Sequence, residues 1–92
     1  MVTIKQELAL EALRTERCFQ DNKHGTLESG KGAHTVGEWV LLIEAELEEA
    51  KCALIKGGTG RDSVLSEIVQ VGALAVACLE QHGTREIKER SI

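Results

Sequence analysis

Apolar residues recur along this chain at spacings of three and four over three separate stretches, and the gaps between them are glycine-rich and polar. That period marks amphipathic helices, because strands would alternate every second residue. The clearest stretch is Val36, Val40, Ile43, Leu47, Ala50 and Leu54, with successive spacings of 4, 3, 4, 3 and 4. Just before it, Thr35-Val36-Gly37-Glu38 has the form of a capping box, in which Thr35 caps the helix and Glu38 reaches back. Gly57-Gly58 supplies the stop, so the pattern predicts a helix over about 36–56. Val64, Ile68, Val71, Ala75, Cys78 and His82 repeat the same spacing after Asp62 and Ser63, both good caps. With Gly83 beyond them, they predict a helix over about 63–82. A first helix over about 3–19 follows from Ile4, Leu8, Ala12 and Phe19 on one stripe, with Leu10, Leu13 and Arg17 beside it and Thr3/Gln6 as a capping box.

Between the first two helices lies a loop over about 20–34, carrying Asn22, Ser29, two lysines and several glycines. A loop of that length in so small a domain is functional or disordered. Gly57-Gly58-Thr59-Gly60 reads as an interhelical turn; with no GKS/T ending and no preceding strand it is not a phosphate loop. The charged tail 84–92 closes the chain. In the third helix, Leu65, Val69, Gly72, Leu74, Val76, Ala77 and Leu79 make most of the other faces apolar too, and such a helix is buried on several sides. One neighbouring helix cannot cover it; either the first helix or a second subunit must. Gly72, Ala73, Ala75 and Ala77 permit close approach. The expectation is a single all-α domain over 1–92, a small antiparallel bundle of three main helices completed by oligomerisation.

Composition agrees with helix: Glu, Leu and Ala are abundant, proline is absent, and Phe19 and Trp39 are the two aromatic residues. A chain of 92 residues buries only roughly 60–65% of the surface its unfolded form exposes, and oligomerisation is a common remedy. The net charge of −4 argues against a nucleic-acid partner, which needs clustered Lys and Arg. Cys18, Cys52 and Cys78 are odd in number and lack CxxC spacing, the usage of a reducing cytoplasm. There is no apolar segment of signal-peptide type at the N-terminus. The longest apolar run, residues 68–79, is twelve residues and contains Gln70, too short to span a bilayer. The expectation is a soluble cytoplasmic protein with neither a membrane nor a nucleic acid as partner.

The candidate chemistry is Glu46-x-x-Glu49, seventeen residues, then Glu67-x-x-Gln70. Residues three apart share a helix face, so antiparallel packing of the second and third helices brings four oxygen-bearing side chains together. A bundle builds a Mg²⁺ or Mn²⁺ site in this way, and the waters such a metal keeps can be shared with a polyphosphate. Glu is also a default surface residue of helices, so Glu46 and Glu49 read equally as solvated charge. Glu67 and Gln70 say more, because they interrupt an otherwise apolar helix and buried polar groups need partners. Arg17 and Lys23 flank the first loop, as phosphate contacts or as surface charge. His34 precedes a helix N-terminus, where free N–H groups favour anions. Trp39 reads as a base-stacking platform or a core residue, and His82 as a helix-end residue facing the C-terminal dipole. No Ser/His/Asp or Cys/His arrangement supports nucleophilic catalysis.

On these residues the chain resembles the MazG-like, all-α nucleotide pyrophosphohydrolases, whose motif is Glu-Glu-x-x-Glu, a spacer, and Glu-x-x-Asp. Here it reads Ala45-Glu46-Leu47-Glu48-Glu49, then Glu67-Ile68-Val69-Gln70. The wider pattern is similar to small bacteriophage proteins of this type: Glu16-Arg17, Gln20-Asp21-x-Lys23-x-Gly25, His34-Thr35, Glu38-Trp39 and Ala77-Cys78-Leu79-Glu80-Gln81-His82-Gly83. The likeness covers roughly residues 11–83. It implies an oligomeric helical bundle in the cytoplasm, that of a bacterial host if phage-encoded, with nucleotide at the helix interface. It also implies Mg²⁺ on Glu46, Glu49, Glu67 and Gln70. The candidate nucleotide contacts beside that site are Arg17, Lys23, His34 and Trp39, from their own positions in the sequence. Two departures matter: Ala45 replaces the first Glu and Gln70 the final Asp. The second removes a negative charge from the metal shell and weakens the Mg²⁺ site.

Three functions are compatible with these residues. The first is a small phage-type nucleotide-binding protein that binds or sequesters a nucleotide or nucleotide-derived signal with little or no hydrolysis. The second is a Mg²⁺-dependent (d)NTP pyrophosphohydrolase releasing NMP and pyrophosphate. The third is a structural oligomerisation module whose acidic residues are incidental. Depletion of the metal quartet favours the first.

Overall fold

A computed structural model describes residues 2–57 and 60–84, with the helical backbone alone for residues 60–63. It holds three helices and no strand among the described residues: α1 Ile4–His24, α2 Val36–Lys56 and α3 Gly60–His82. The fold is an all-α three-helix bundle. The two middle residues of the Gly57–Gly60 turn and residues 85–92 of the charged tail lie outside the description.

Helix ends follow local chemistry. At α2 the Thr35 hydroxyl accepts from the Glu38 N–H at 3.1 Å, and the Thr35 N–H donates to Glu38 Oε1 at 2.7 Å. That second bond holds the Glu38 carboxyl below its ordinary pKa. Gly57 ends the helix in the left-handed region at φ 60°. At α1 the Thr3 hydroxyl accepts from the Gln6 N–H. The helix continues five residues past the expected end at Phe19, so the first loop begins later than expected. Asp21 and Asn22 favour turns by propensity, but Arg17 pairs with Asp21 one turn on, and Lys23 and His24 suit the C-terminal dipole. The stop is Gly25, at φ 96°. Helix α3 starts at Gly60, ahead of Asp62 and Ser63, whose side chains lie outside the description. Caps favour a start without forbidding extension, and Arg61 is a good helix former.

Helix α3 packs against both α1 and α2, and α1 and α2 do not pack against each other among the described residues. The partly apolar all-round helix is therefore covered from two sides by its own chain. The crowded positions are small: Ala73 and Ala77 are fully buried, with Ala50 of α2 nearly so, and a Cβ on Gly72 would lie 2.7 Å from Leu13 Cδ2 of α1. A 19-residue window, Val64–His82, reaches a mean hydropathy of 1.4, long and apolar enough by length and composition to cross a membrane. The twelve-residue run undercounts it, because the window tolerates Glu67 and Glu80. Only 11% of that window is buried: α3 meets α1 and α2, but Leu65, Ile68 and Leu79 stay exposed.

The buried stripes differ from those the spacing predicts. On α2 the inward positions are Trp39, Ile43, Glu46, Ala50 and Ala53, whereas Val36, Val40, Leu47 and Leu54 are exposed. The same 4-3 period runs through both sets, and the large aromatic residue selects the register by entering the core. Glu46 thereby stands on the seam itself, half-buried. On α1 the inward side carries Leu13, Arg17 and Gln20; Ile4 and Leu8 point outward, and Phe19 is exposed but lines the cavity described below.

Residues Gly25 to Gly32 form a closed loop. The Gly32 N–H donates to Thr26 O at 3.2 Å, and Ser29 bonds Thr26 twice, through its N–H and its hydroxyl. Its two ends touch: a Cβ at Gly32 would meet the carbonyl of Gly25. Because that clash is with backbone and Gly32 has no left-handed φ, the effect of a side chain there is steric. Gly32→Ala is expected to cost about 1–3 kcal/mol, read from chemical denaturation; an unchanged midpoint would show that the loop is not clasped.

Candidate functional site

The gap between α1 and α2 is a cavity of about 700 Å³, within the size range of small-molecule sites. The last two turns of α1, the clasped loop, α2 and the middle of α3 all contribute to its lining. Arg17, Lys23, His34, Trp39, Glu46 and Gln70 all line it. Glu49 and Glu67 do not, and instead meet Glu46 beside it: one carboxylate oxygen from each of the three lies within 4.8 Å of the others. Glu46 belongs to both groups and links them.

The acidic trio is electrostatically frustrated. Glu46 stands on the packed face of α2, and Glu67 faces it from α3. One oxygen of each, Oε2 in both, is shielded from solvent and has no hydrogen-bond partner among the described residues. Burial, then the hydrogen bond and charge of Glu49, then the charge and hydrogen bond of Glu67, push the Glu46 carboxyl up to about 7. The two oxygens are thus orphaned when all three carboxyls are ionised, and a proton kept on Glu46 gives it a partner within the trio. Three hard oxygen donors with two orphaned oxygens fit a Mg²⁺- or Mn²⁺-type cation. Gln70, on the same side of α3 one turn along, would add a neutral oxygen.

The rest of the lining is sorted by chemistry. Lys23 and Lys31 make no ion pair among the described residues, and His24 and His34 accompany them. Leu27, Leu42, Leu74 and Trp39 supply an apolar wall. Arg17 is committed elsewhere: its Nε donates to Glu80 Oε2 at 2.6 Å, and its terminal nitrogens reach Glu80 Oε1 at 3.3 Å, Asp21 Oδ1 at 3.0 Å and Gln20 Oε1 at 3.3 Å. It is 8% exposed and joins α1 to α3 along the cavity wall. Trp39 is 4% exposed, and the His34 ring meets it edge-on, with centroids 4.7 Å apart and planes at 85°. His82 reaches His34 O through Nε2 at 2.9 Å, a specific contact in place of a general dipole interaction.

Sequence reasoning named neither Lys31 nor Glu80 and Gln81 as functional. Lys31 stood among loop residues with no period to place it. Glu80 and Gln81 carried a signal in being polar at the end of an apolar helix, but their partners, Arg17 and His34, are 63 and 47 residues away in sequence.

A pH dependence follows from Glu46. In the unfolded chain this carboxyl ionises near 4.5, and in the fold near 7. Between those values the folded state binds more protons, so stability falls as pH rises across that window. Glu46→Gln is expected to remove this loss, and to be more stable than wild type at pH 7.5 in EDTA. Parallel stability curves for the two proteins from pH 4.5 to 7.5 would rule it out.

Comparison with protein-family models, with curated proteins and with solved structures finds no match for this chain.

Proposed function

We propose that the cavity binds a nucleotide or nucleotide-derived small molecule through a divalent cation, with little or no hydrolysis. The observation that carries this reading is the three-carboxylate cluster with two orphaned oxygens, opening through Glu46 into a cavity lined by Lys23 and Lys31 alongside Glu16 and Asp21, with an apolar wall. Glu46, Glu49 and Glu67, with the neutral oxygen of Gln70, would hold Mg²⁺, which supplies neutralisation of phosphate charge. Lys23, Lys31 and His34 would donate to further phosphate oxygens, and Leu27, Leu42 and Leu74, with the small part of Trp39 that reaches the cavity, would meet a base. The motif resemblance to MazG-like and phage-type proteins supports the same ligand class, and extends the proposal to action in a bacterial cytoplasm. Gln70 supports retention over turnover, because a shell short of one negative charge grips the metal less firmly. Self-association supplies the natural cover for the exposed Ile4, Leu8, Leu41, Leu54 and Ile55.

A second reading, Mg²⁺-dependent pyrophosphohydrolysis, keeps support from the convergence of Glu46, Glu49 and Glu67 despite the substitution at Gln70. Incubation with dNTPs, NTPs and ADP-ribose-type nucleotides, with and without Mg²⁺, separates the two. The expected result is Mg²⁺-dependent retention of a ligand recovered intact after denaturation. Rapid pyrophosphate release would overturn sequestration in favour of hydrolysis, and no retention of any nucleotide would overturn both. In the same assay Gln70→Asp is expected to tighten Mg²⁺ binding by at least about tenfold and to raise pyrophosphate release.

A further inference from the structure

The C-terminal end of α3 reaches the cavity through one side chain. Gln81 Oε1 accepts from the His34 N–H at 3.0 Å and from the Trp39 indole N–H at 2.9 Å, and its Nε2 donates to His34 O at 2.7 Å. The orientation of this amide is chemically determined. An indole N–H and a backbone N–H can only donate, so the oxygen must face them; a carbonyl can only accept, so the nitrogen must face His34 O. The same carbonyl limits His82, whose Nε2 must carry a proton to bond it at 2.9 Å. One half-buried side chain thus satisfies both backbone groups of His34 and the only polar atom of the Trp39 ring.

His34 and Trp39 line the cavity and Gln81 does not. The His34 ring, edge-on to Trp39, and the indole are therefore oriented by a residue behind them. A side chain at position 81 needs an acceptor for two donors and a donor for one acceptor, at the reach of four heavy-atom bonds from Cα. Glu supplies the acceptor without the donor; Met fills the length and supplies neither.

We propose that Gln81 is the positioning residue of the cavity, holding His34 and Trp39 as one rigid corner against which the ligand packs. The ligand half of this statement rests on the cavity being the binding site proposed above; the Gln81–Trp39 half does not. Trp39 is the only tryptophan, so its fluorescence reports the corner directly.

The test compares wild type with Gln81→Met, Gln81→Glu and His82→Ala by Trp39 emission, acrylamide quenching, cooperativity of thermal unfolding, and retention of dATP, ATP and ADP-ribose with Mg²⁺. Gln81→Met is expected to unfold cooperatively with red-shifted emission and greater quenching, and to bind the retained nucleotide about tenfold more weakly. Gln81→Glu, which keeps the acceptor for Trp39, is expected to emit like wild type while losing affinity through His34. His82→Ala, which leaves the indole bond intact, is expected to leave emission unchanged. Wild-type emission and quenching in Gln81→Met would overturn the proposal, and so would altered emission with unaltered affinity. If wild type retains none of the three nucleotides, the functional reading fails, and the emission of the Met and Glu variants still decides whether Gln81 positions the corner.

Discussion

Three carboxylates share one spot on the α2–α3 seam, and much of the molecule can be understood from the cost of putting them there. An inward position on α2 that would ordinarily hold an aliphatic side chain holds Glu46, with Glu49 one turn along and Glu67 opposite. Each carboxylate raises the cost of ionising the others, and burial raises it further. Without a counter-charge the cluster resolves by keeping a proton, which is why Glu46 titrates near neutrality. With a hard divalent cation, as proposed above, it would resolve by coordination. A bundle with so few fully buried apolar side chains has little reason to tolerate such a cluster for stability alone.

The second constraint is that α3 must be covered on two sides while α1 and α2 stay apart. Close approach is provided by small residues, Gly72 beneath Leu13 and the buried Ala73 and Ala77, and by the Arg17–Glu80 pair at the far end. The separation that results is the cavity. Its mouth is shaped by the clasped Gly25–Gly32 loop and its upper corner by Gln81, so the parts of the chain that look least regular are held by specific hydrogen bonds. The outward apolar residues of α1 and α2 are the complement of this arrangement, left over because each helix buries only one narrow seam.

Helix identity was legible in the sequence because the 4-3 period and the caps are local signals: Thr35, Glu38 and Gly57 define α2 without reference to anything distant. The register of burial was less legible. The aliphatic stripe of α2 and the stripe through Trp39 and Glu46 have equal periods, and only tertiary packing chooses between them. The end of α1 was misplaced because the Arg17–Asp21 pair outweighs the turn preference of Asp21 and Asn22. At the site, the ExxE/ExxQ spacing pointed to Glu46, Glu49 and Glu67, since i, i+3 geometry on two antiparallel helices is nearly sufficient to bring them together. The commitment of Arg17 to Glu80 and of His34 to Gln81 depends on contacts across more than forty residues, and no periodicity encodes those.

The central claim is that the acidic trio exists to hold a divalent cation against a ligand in the cavity. Mn²⁺ titration followed by electron paramagnetic resonance tests it most directly, because bound and free Mn²⁺ give distinct signals. The account expects one Mn²⁺ per chain, tightened by the retained nucleotide and lost in Glu67→Gln, with the helical circular dichroism of that variant expected to match wild type. Mn²⁺ binding that is absent from the wild type, or equal in wild type and Glu67→Gln, would contradict it.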